Sequence, residues 1–298
     1  MKKCFIDFFV EVYMLILYDL TVDIIERLIM SEFINKICKS ISMIFKFARN
    51  DLKKRYSGSI GGILWAYVLP LVTILVFWFV FGTGLRSNPG TGSVPYIIWL
   101  VPAYIAWTFI NDSISQSSNV LYEYNFLVKK VKFQIGILPI VKVAVSFLIH
   151  IFFILFCVAL YGVMSMIDGT LYLSWMTFQT LYYTFALSCF VIAIAYLVSA
   201  LTVFYKDIAQ IVLVLLQIGF WTVPIFWDPS DMSSKVVTIL KFNPAFYVVQ
   251  GYRESFLGTA WFFEHGWLTL YFWCITGLLM FLSFVVFKKC SKHYSDLL

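Results

Sequence analysis

Six apolar runs, each about as long as a bilayer is thick, decide what this chain can fold into. They cover Gly62 to Phe81, Tyr96 to Ser117, Ile137 to Met164, Trp175 to Val203, Ile208 to Phe226 and Trp267 to Phe287. A helix rises ~1.5 Å per residue, so ~20 residues cross a hydrocarbon core of ~30 Å. Lipid offers no hydrogen-bond partners, so each run must satisfy its own backbone as a helix. Composition agrees: 61% of residues are hydrophobic and 13% charged, where a soluble domain carries ~25% charged residues. The expected fold class is all-α integral membrane, with six transmembrane helices in residues 61–298 and a cytosolic or interfacial N-terminal region in residues 1–60.

The basic residues orient the bundle. One side holds Lys46, Arg49, Lys53, Lys54 and Arg55, then Lys129, Lys130 and Lys132, then Lys206, then Lys288, Lys289 and Lys292. The opposite loops hold only Arg86, Lys235, Lys241 and Arg253. By the positive-inside rule both termini are cytosolic. The net charge of +6 is therefore a topology signal and not a nucleic-acid footprint. The six cysteines form no CxxC pair, so neither a disulfide framework nor a zinc site is implied. Asp7 and Glu11 interrupt the first short apolar stretch, which argues against a span or a cleavable signal there. Residues 1–38 read as a further interfacial or helical segment.

Two non-spanning regions carry helical signatures. From Ser40 to Arg55, Ile41, Ile44, Phe45, Ala48 and Leu52 share one helical face, while Lys39, Lys46, Asn50, Lys53 and Lys54 share the other. This is the pattern of an amphipathic helix in the inner interface, or of one packed on the protein's own loops. Between the fifth and sixth runs, Val236 to Phe242 and Ala245 to Leu257 are apolar but too short to cross. Asn243 suits an N-cap, Pro244 a first helical position and Gly258 a C-terminal stop. The pair reads as a re-entrant hairpin dipping back from the outer face, with Tyr252 and Arg253 on its second helix; two helices lying flat outside are the alternative.

The second run is the most informative. Tyr104, Thr108, Asn111, Ser115, Ser118 and Tyr122 recur at helical spacing, flanked by Asp112, Gln116, Asn119 and Glu123. Such a face must meet protein or water, because lipid supplies no partner. It is expected to line a path or to meet another subunit; plain helix–helix hydrogen bonding is the alternative. The fifth run has a weaker stripe of Gln210, Gln217, Trp221 and Pro224. Lys142 and His150 in the third run are candidate partners for Asp112. No GxxxxGK[ST] phosphate loop, HExxH or GxSxG occurs, so any ATP-driven work needs a separate chain.

Three stretches carry a family resemblance. DLKKRYSGSIGGILWAYVLPL (Asp51 to Leu71), NFLVKKVKFQIGILPI (Asn125 to Ile140) and FYKDIAQIVLVLLQIGFWTVPIFW with FNPAFYVVQGYRESFLG (within Phe204 to Gly258) resemble the type-2 ABC permeases of polysaccharide export. The likeness covers about residues 40 to 295. It implies a permease chain without enzymatic activity that pairs with a second copy of itself and with an ABC ATPase subunit, which holds ATP and Mg. The substrate implied is a lipid-linked glycan of O-antigen, capsule or teichoic acid type, moved across the bacterial inner membrane. The helix before the first span and the loop after the second would meet the ATPase, placing Arg49, Lys53, Arg55, Asn125, Lys129, Lys130 and Lys132 at the coupling surface. The path would be lined by Tyr104, Thr108, Asn111, Asp112, Ser115, Ser118, Gln217, Phe220 and Trp221, with Asn243, Pro244, Tyr252 and Arg253 in the outer hairpin. Residues 1–38 exceed what such permeases carry before the first span. An ABC permease for a small hydrophobic molecule, a membrane enzyme acting on lipid-linked sugar and a passive channel are the rival readings.

Overall fold

A computed structural model of the chain describes residues 39–84, 94–129, 134–170 and 172–294. The expectations for residues 1–38, Lys130 and Lys132 lie outside the described residues. The chain divides into two compact units, Met1–Phe47 and Ala48–Leu298. In the first, residues 39–47 are helical and both Ile41 and Phe45 are exposed. The second opens with helical residues 48–55 and has no strand among its described residues.

Its principal helices are α1 (Trp65–Phe77), α2 (Tyr96–Ser118), α3 (Ile137–Asp168), α4 (Thr180–Phe204), α5 (Asp207–Thr222), α6 (Ser234–Leu240), α7 (Pro244–Leu257) and α8 (Gly266–Cys290). Among the described residues, five stretches are long and apolar enough to cross a membrane: Gly62–Gly84, Tyr96–Ser118, Ile137–Asp168, Trp175–Phe204 and Phe262–Cys290. In the first of these, α1 runs on into a π-helical turn over Trp78–Gly84.

The fifth expected crossing is shorter than the sequence implied. α5 has 16 residues, which is ~24 Å of helix, and it stops at Thr222 rather than Phe226. Pro224 explains the stop. It has no N–H to give to the ladder, and its ring drives the preceding residue out of the helical region. Val223 accordingly takes an extended conformation with ψ 142°, and residues 223–227 run without helix.

The pair α6 and α7 is built from the signals read in the sequence. Asn243 accepts a hydrogen bond from the Ala245 N–H at 3.0 Å, Pro244 holds the first turn, and Gly258 closes the helix at φ 67°. α2 lies at the centre of the bundle, packed against α3, α4, α5 and α7. Close approach depends on glycine at Gly251 of α7, where an added Cβ would stand 2.1 Å from the ring of Tyr183 on α4.

Candidate functional site: a polar and aromatic cavity between the helices

A cavity of about 550 Å³ opens between α1, α2, α3 and α5. α2 contributes Tyr104, Thr108, Asn111 and Asp112; α5 contributes Gln217, Phe220 and Trp221. Pro70 and Thr73 of α1 close one side, and Ser146 and His150 of α3 the other. Every path residue named from the sequence borders this space except Ser115 and Ser118. Those two sit further along α2. Ser118 is buried and gives its hydroxyl to the Ile114 carbonyl at 3.0 Å, and Ser115 reaches the Asp112 carbonyl at 3.4 Å.

These bonds refine the energetic case for the stripe. Thr108 likewise donates to the Ile105 carbonyl at 2.8 Å, and Ser117 to that of Ser113 at 2.7 Å. A hydroxyl that bonds back onto its own helix needs no water. Asn111 and Asp112 are not hydroxyls and make no such bond, and both border the cavity. Aromatic rings form its wall at the α5 side. Phe77 lies 5.9 Å from Tyr104 and 5.9 Å from Phe220, while Phe220 lies 6.2 Å from Trp107 and 5.5 Å from Trp221. Such a wall offers flat apolar faces beside a few hydrogen-bonding groups, a surface that grips sugar CH faces without a deep lock.

The charge partners differ from those expected. Asp112 pairs with Arg55, Nη1 to Oδ2 at 3.7 Å, and not with Lys142 or His150. His150 is buried; its Nε2 lies 2.8 Å from the Tyr252 hydroxyl, which in turn lies 2.7 Å from Thr184 Oγ1. The histidine thus belongs to a hydrogen-bonded seam joining α3, α7 and α4, and its ring stacks on Phe109 at 4.6 Å. Lys142 points elsewhere, to both oxygens of Asp51 at 3.0 Å and to Glu123 Oε2 at 2.6 Å. Tyr124 adds a hydroxyl donated to Asp51 at 2.5 Å. Burial and the neighbouring carboxylates push the Tyr124 hydroxyl well above its ordinary pKa, so it stays a donor. The sequence held a signal for this cluster that went unused: Asp51 is the one acidic residue between Lys39 and Arg55, and it falls on the apolar side next to Leu52.

Arg253 performs a second task that the sequence did not disclose. It is 2% exposed. Its Nη2 donates to the carbonyls of Pro224 at 2.6 Å and Ile225 at 2.9 Å, and its Nε to that of Trp99 at 3.1 Å. The guanidinium lies over the Trp99 ring at 3.6 Å. Tyr96 gives its hydroxyl to the next carbonyl, Phe226, at 3.1 Å. The carbonyls released where α5 breaks are thereby satisfied, which is the condition for irregular backbone among membrane helices. Of the residues assigned to partner coupling, Arg49, Lys53, Arg55, Asn125 and Lys129 are exposed, and Arg55 also pairs with Asp112.

Apolar helices, a cavity with both polar groups and rings, and paired charges on the elements at one end make up the membrane part of a transport protein. The description ABC-2 type transporter matches residues 44–257, and the chain belongs to that family. Among curated relatives, an O-antigen export system permease protein RfbA of Klebsiella pneumoniae is 22% identical over 261 residues, covering 86% of this chain and 95% of that one. The protein of the same name from Myxococcus xanthus is 22% identical over 232 residues, covering 76% and 85% respectively.

Proposed function

We propose that this chain is the membrane permease subunit of an ATP-driven exporter, moving a lipid-linked polysaccharide from the cytosolic to the outer side of a bacterial inner membrane. The relatives named O-antigen export permeases support it, since the likeness runs over 86% of the chain. The observation on this molecule that carries it is the cavity, where Asn111, Asp112 and Gln217 face a wall of Trp107, Phe220 and Trp221. A flexible glycan is held there by stacking and a few hydrogen bonds and still slides. In this reading α5 and the buried turn after it make the fifth of six crossings, and α6 with α7 forms a re-entrant hairpin on the outer side. Both termini are cytosolic. Two copies act together, and each binds an ABC ATPase subunit that holds ATP and Mg, so this chain has no catalytic residue. Arg49, Lys53 and Lys129 face that ATPase.

The test is genetic and direct. Deleting the gene should leave completed lipid-linked glycan inside the cell. The wild-type chain should restore surface glycan, and Asn111→Leu with Gln217→Leu should not, although the variant accumulates in the membrane. Normal surface glycan in the deletion strain would refute the reading.

A further inference from the structure

We propose that Lys142 is a positioning residue that locks the helical stretch 48–55 and the turn 119–129 into one moving part, so that neither shifts against α3 without the other. This rests on the proposed function only for the identity of the partner that does the pushing; the lock itself is a property of this chain.

The geometry carries it. Lys142 lies near the start of the 32-residue helix α3 and is 4% exposed. Its single cation serves two carboxylates from two different elements. Asp51, itself 6% exposed, comes from the stretch before the first span. Glu123 comes from the turn after α2. Tyr124, the neighbour of Glu123, donates to the same Asp51 oxygen that Lys142 bonds, and its ring lies 5.7 Å from the ammonium. The two elements are therefore cross-linked through Asp51, Lys142, Glu123 and Tyr124, with one cation at the centre.

Each element also buries apolar side chains, Val120, Leu121 and Leu127 in the turn and Ala48 and Leu52 in the stretch, but apolar contacts alone fix no mutual position. The turn consists of two four-residue helices, Val120–Glu123 and Asn125–Val128. A helix so short has no stability of its own. A further polar tie is the Tyr122 hydroxyl, which donates to the Val203 carbonyl of α4 at 3.1 Å. The stretch 48–55 buries Ala48 and Leu52 beside Asp51 and exposes Arg49 and Lys53. Exposed basic groups on both elements, Arg49 and Lys53 on one and Lys129 on the other, thus stand on a common buried charge.

An apolar residue at position 142 would cost less to bury than an ion shared by two carboxylates. What the ion adds is a fixed mutual position. Removing it leaves Asp51 and Glu123 repelling each other across the gap, which opens both elements at once. A passive packing residue would loosen only its own surroundings.

The experiment has two arms. In the first, the purified full chain is reconstituted in nanodiscs and backbone hydrogen exchange is followed. Lys142→Met should speed exchange in both 48–55 and 119–129, on the order of 100-fold as loss of a buried charge partner implies. Lys142→Arg should restore both. A rise in one element alone, or in neither, overturns the lock. In the second arm the ATPase subunit is added and the ATP consumed per glycan exported is measured. The ratio should rise several-fold in Lys142→Met and return in Lys142→Arg, with the ATPase still bound. Should Lys142→Met fail to accumulate, Glu123→Gln serves, because that side chain is 43% exposed and tolerates change. It should loosen 119–129 and raise the ratio, and an unchanged ratio with unchanged exchange overturns the proposal. If wild-type chain binds no ATPase, the functional reading fails while the exchange arm still decides the lock.

Discussion

The stretches Gly62–Gly84 and Tyr96–Ser118 are both 23 residues long and both pass for membrane spans, yet they occupy opposite environments. In the first, 11% of the most apolar window is buried inside the chain; in the second, 78% is. The more apolar of the two is the one left outside. The reason lies in what each helix must satisfy. α1 and its π-helical extension carry no charged side chain, so lipid or another chain covers them equally well. α2 carries Asn111, Asp112 and a run of serines, and only protein or enclosed water can accommodate those. In a bilayer the hydrophobic effect no longer ranks helices by burial; polar satisfaction and close packing do.

The sharpest way to break the contrast is to release α2 from the turn beneath it. Arg253→Leu strips donors from the carbonyls of Trp99, Pro224 and Ile225 together. Leaving buried carbonyls unpaired costs about 1–3 kcal/mol each at most, so a loss on the order of 3 kcal/mol is expected. Thermal unfolding of the purified chain in detergent reads it. A midpoint unchanged from wild type would mean that water replaces the guanidinium and that the turn needs no clamp.

A milder pair of substitutions compares the two helices directly. Ala103 of α2 is fully buried, while Val68 of α1 is exposed. Ala103→Leu forces extra methylenes into a packed centre and should cost about 1–3 kcal/mol. Val68→Leu should stay within about 0.5 kcal/mol, as surface changes do. Equal losses at both positions would show that α1 is packed as tightly as α2 in the isolated chain.

Much of this construction was legible in the sequence. Run lengths located the long helices, because the bilayer imposes one length on all of them. Asn243, Pro244 and Gly258 marked the ends of α7, because capping is a local matter decided within a few residues. The α2 residues beside the cavity followed from the period of α2, whereas those of α5 came from a weaker stripe and from the family resemblance. What could not be read were partners brought together from far apart. The sequence offers Lys142 and His150 to Asp112, but its cation is Arg55, and periodicity alone does not choose among elements whose packing is unknown. The coupling role given to Arg55 and the path role given to Asp112 meet in one ion pair, a link no spacing rule contains. Arg253 looked like an outer-loop charge because the carbonyls it serves lie 28 and 29 residues earlier. The end of α5 was readable from Pro224, and apolar run length outweighed it.

The smallest expected effect on the isolated chain tests what covers α1. Val72, Leu75, Val76 and Phe79 are all exposed, recur at helical spacing and do not border the cavity. Lipid tails are as apolar as these side chains, so moving them from lipid to a second chain gains nothing by transfer. Any association must come from fit, and fit is sensitive to bulk. Val76→Trp should therefore leave the stability of the chain within about 0.5 kcal/mol of wild type, since a protruding ring lies down among acyl chains without strain. Against a second copy the same ring has nowhere to go. Under the proposed dimer, mass measurement in nanodiscs should show Val76→Trp shifted from two copies towards one, with Leu155→Trp on the exposed side of α3 as a control that leaves assembly alone. Unchanged assembly in Val76→Trp would assign this face of α1 to lipid and move the subunit contact to another helix. The exposed positions Ile211, Val214 and Ile218 of α5 would then be the next to carry the tryptophan.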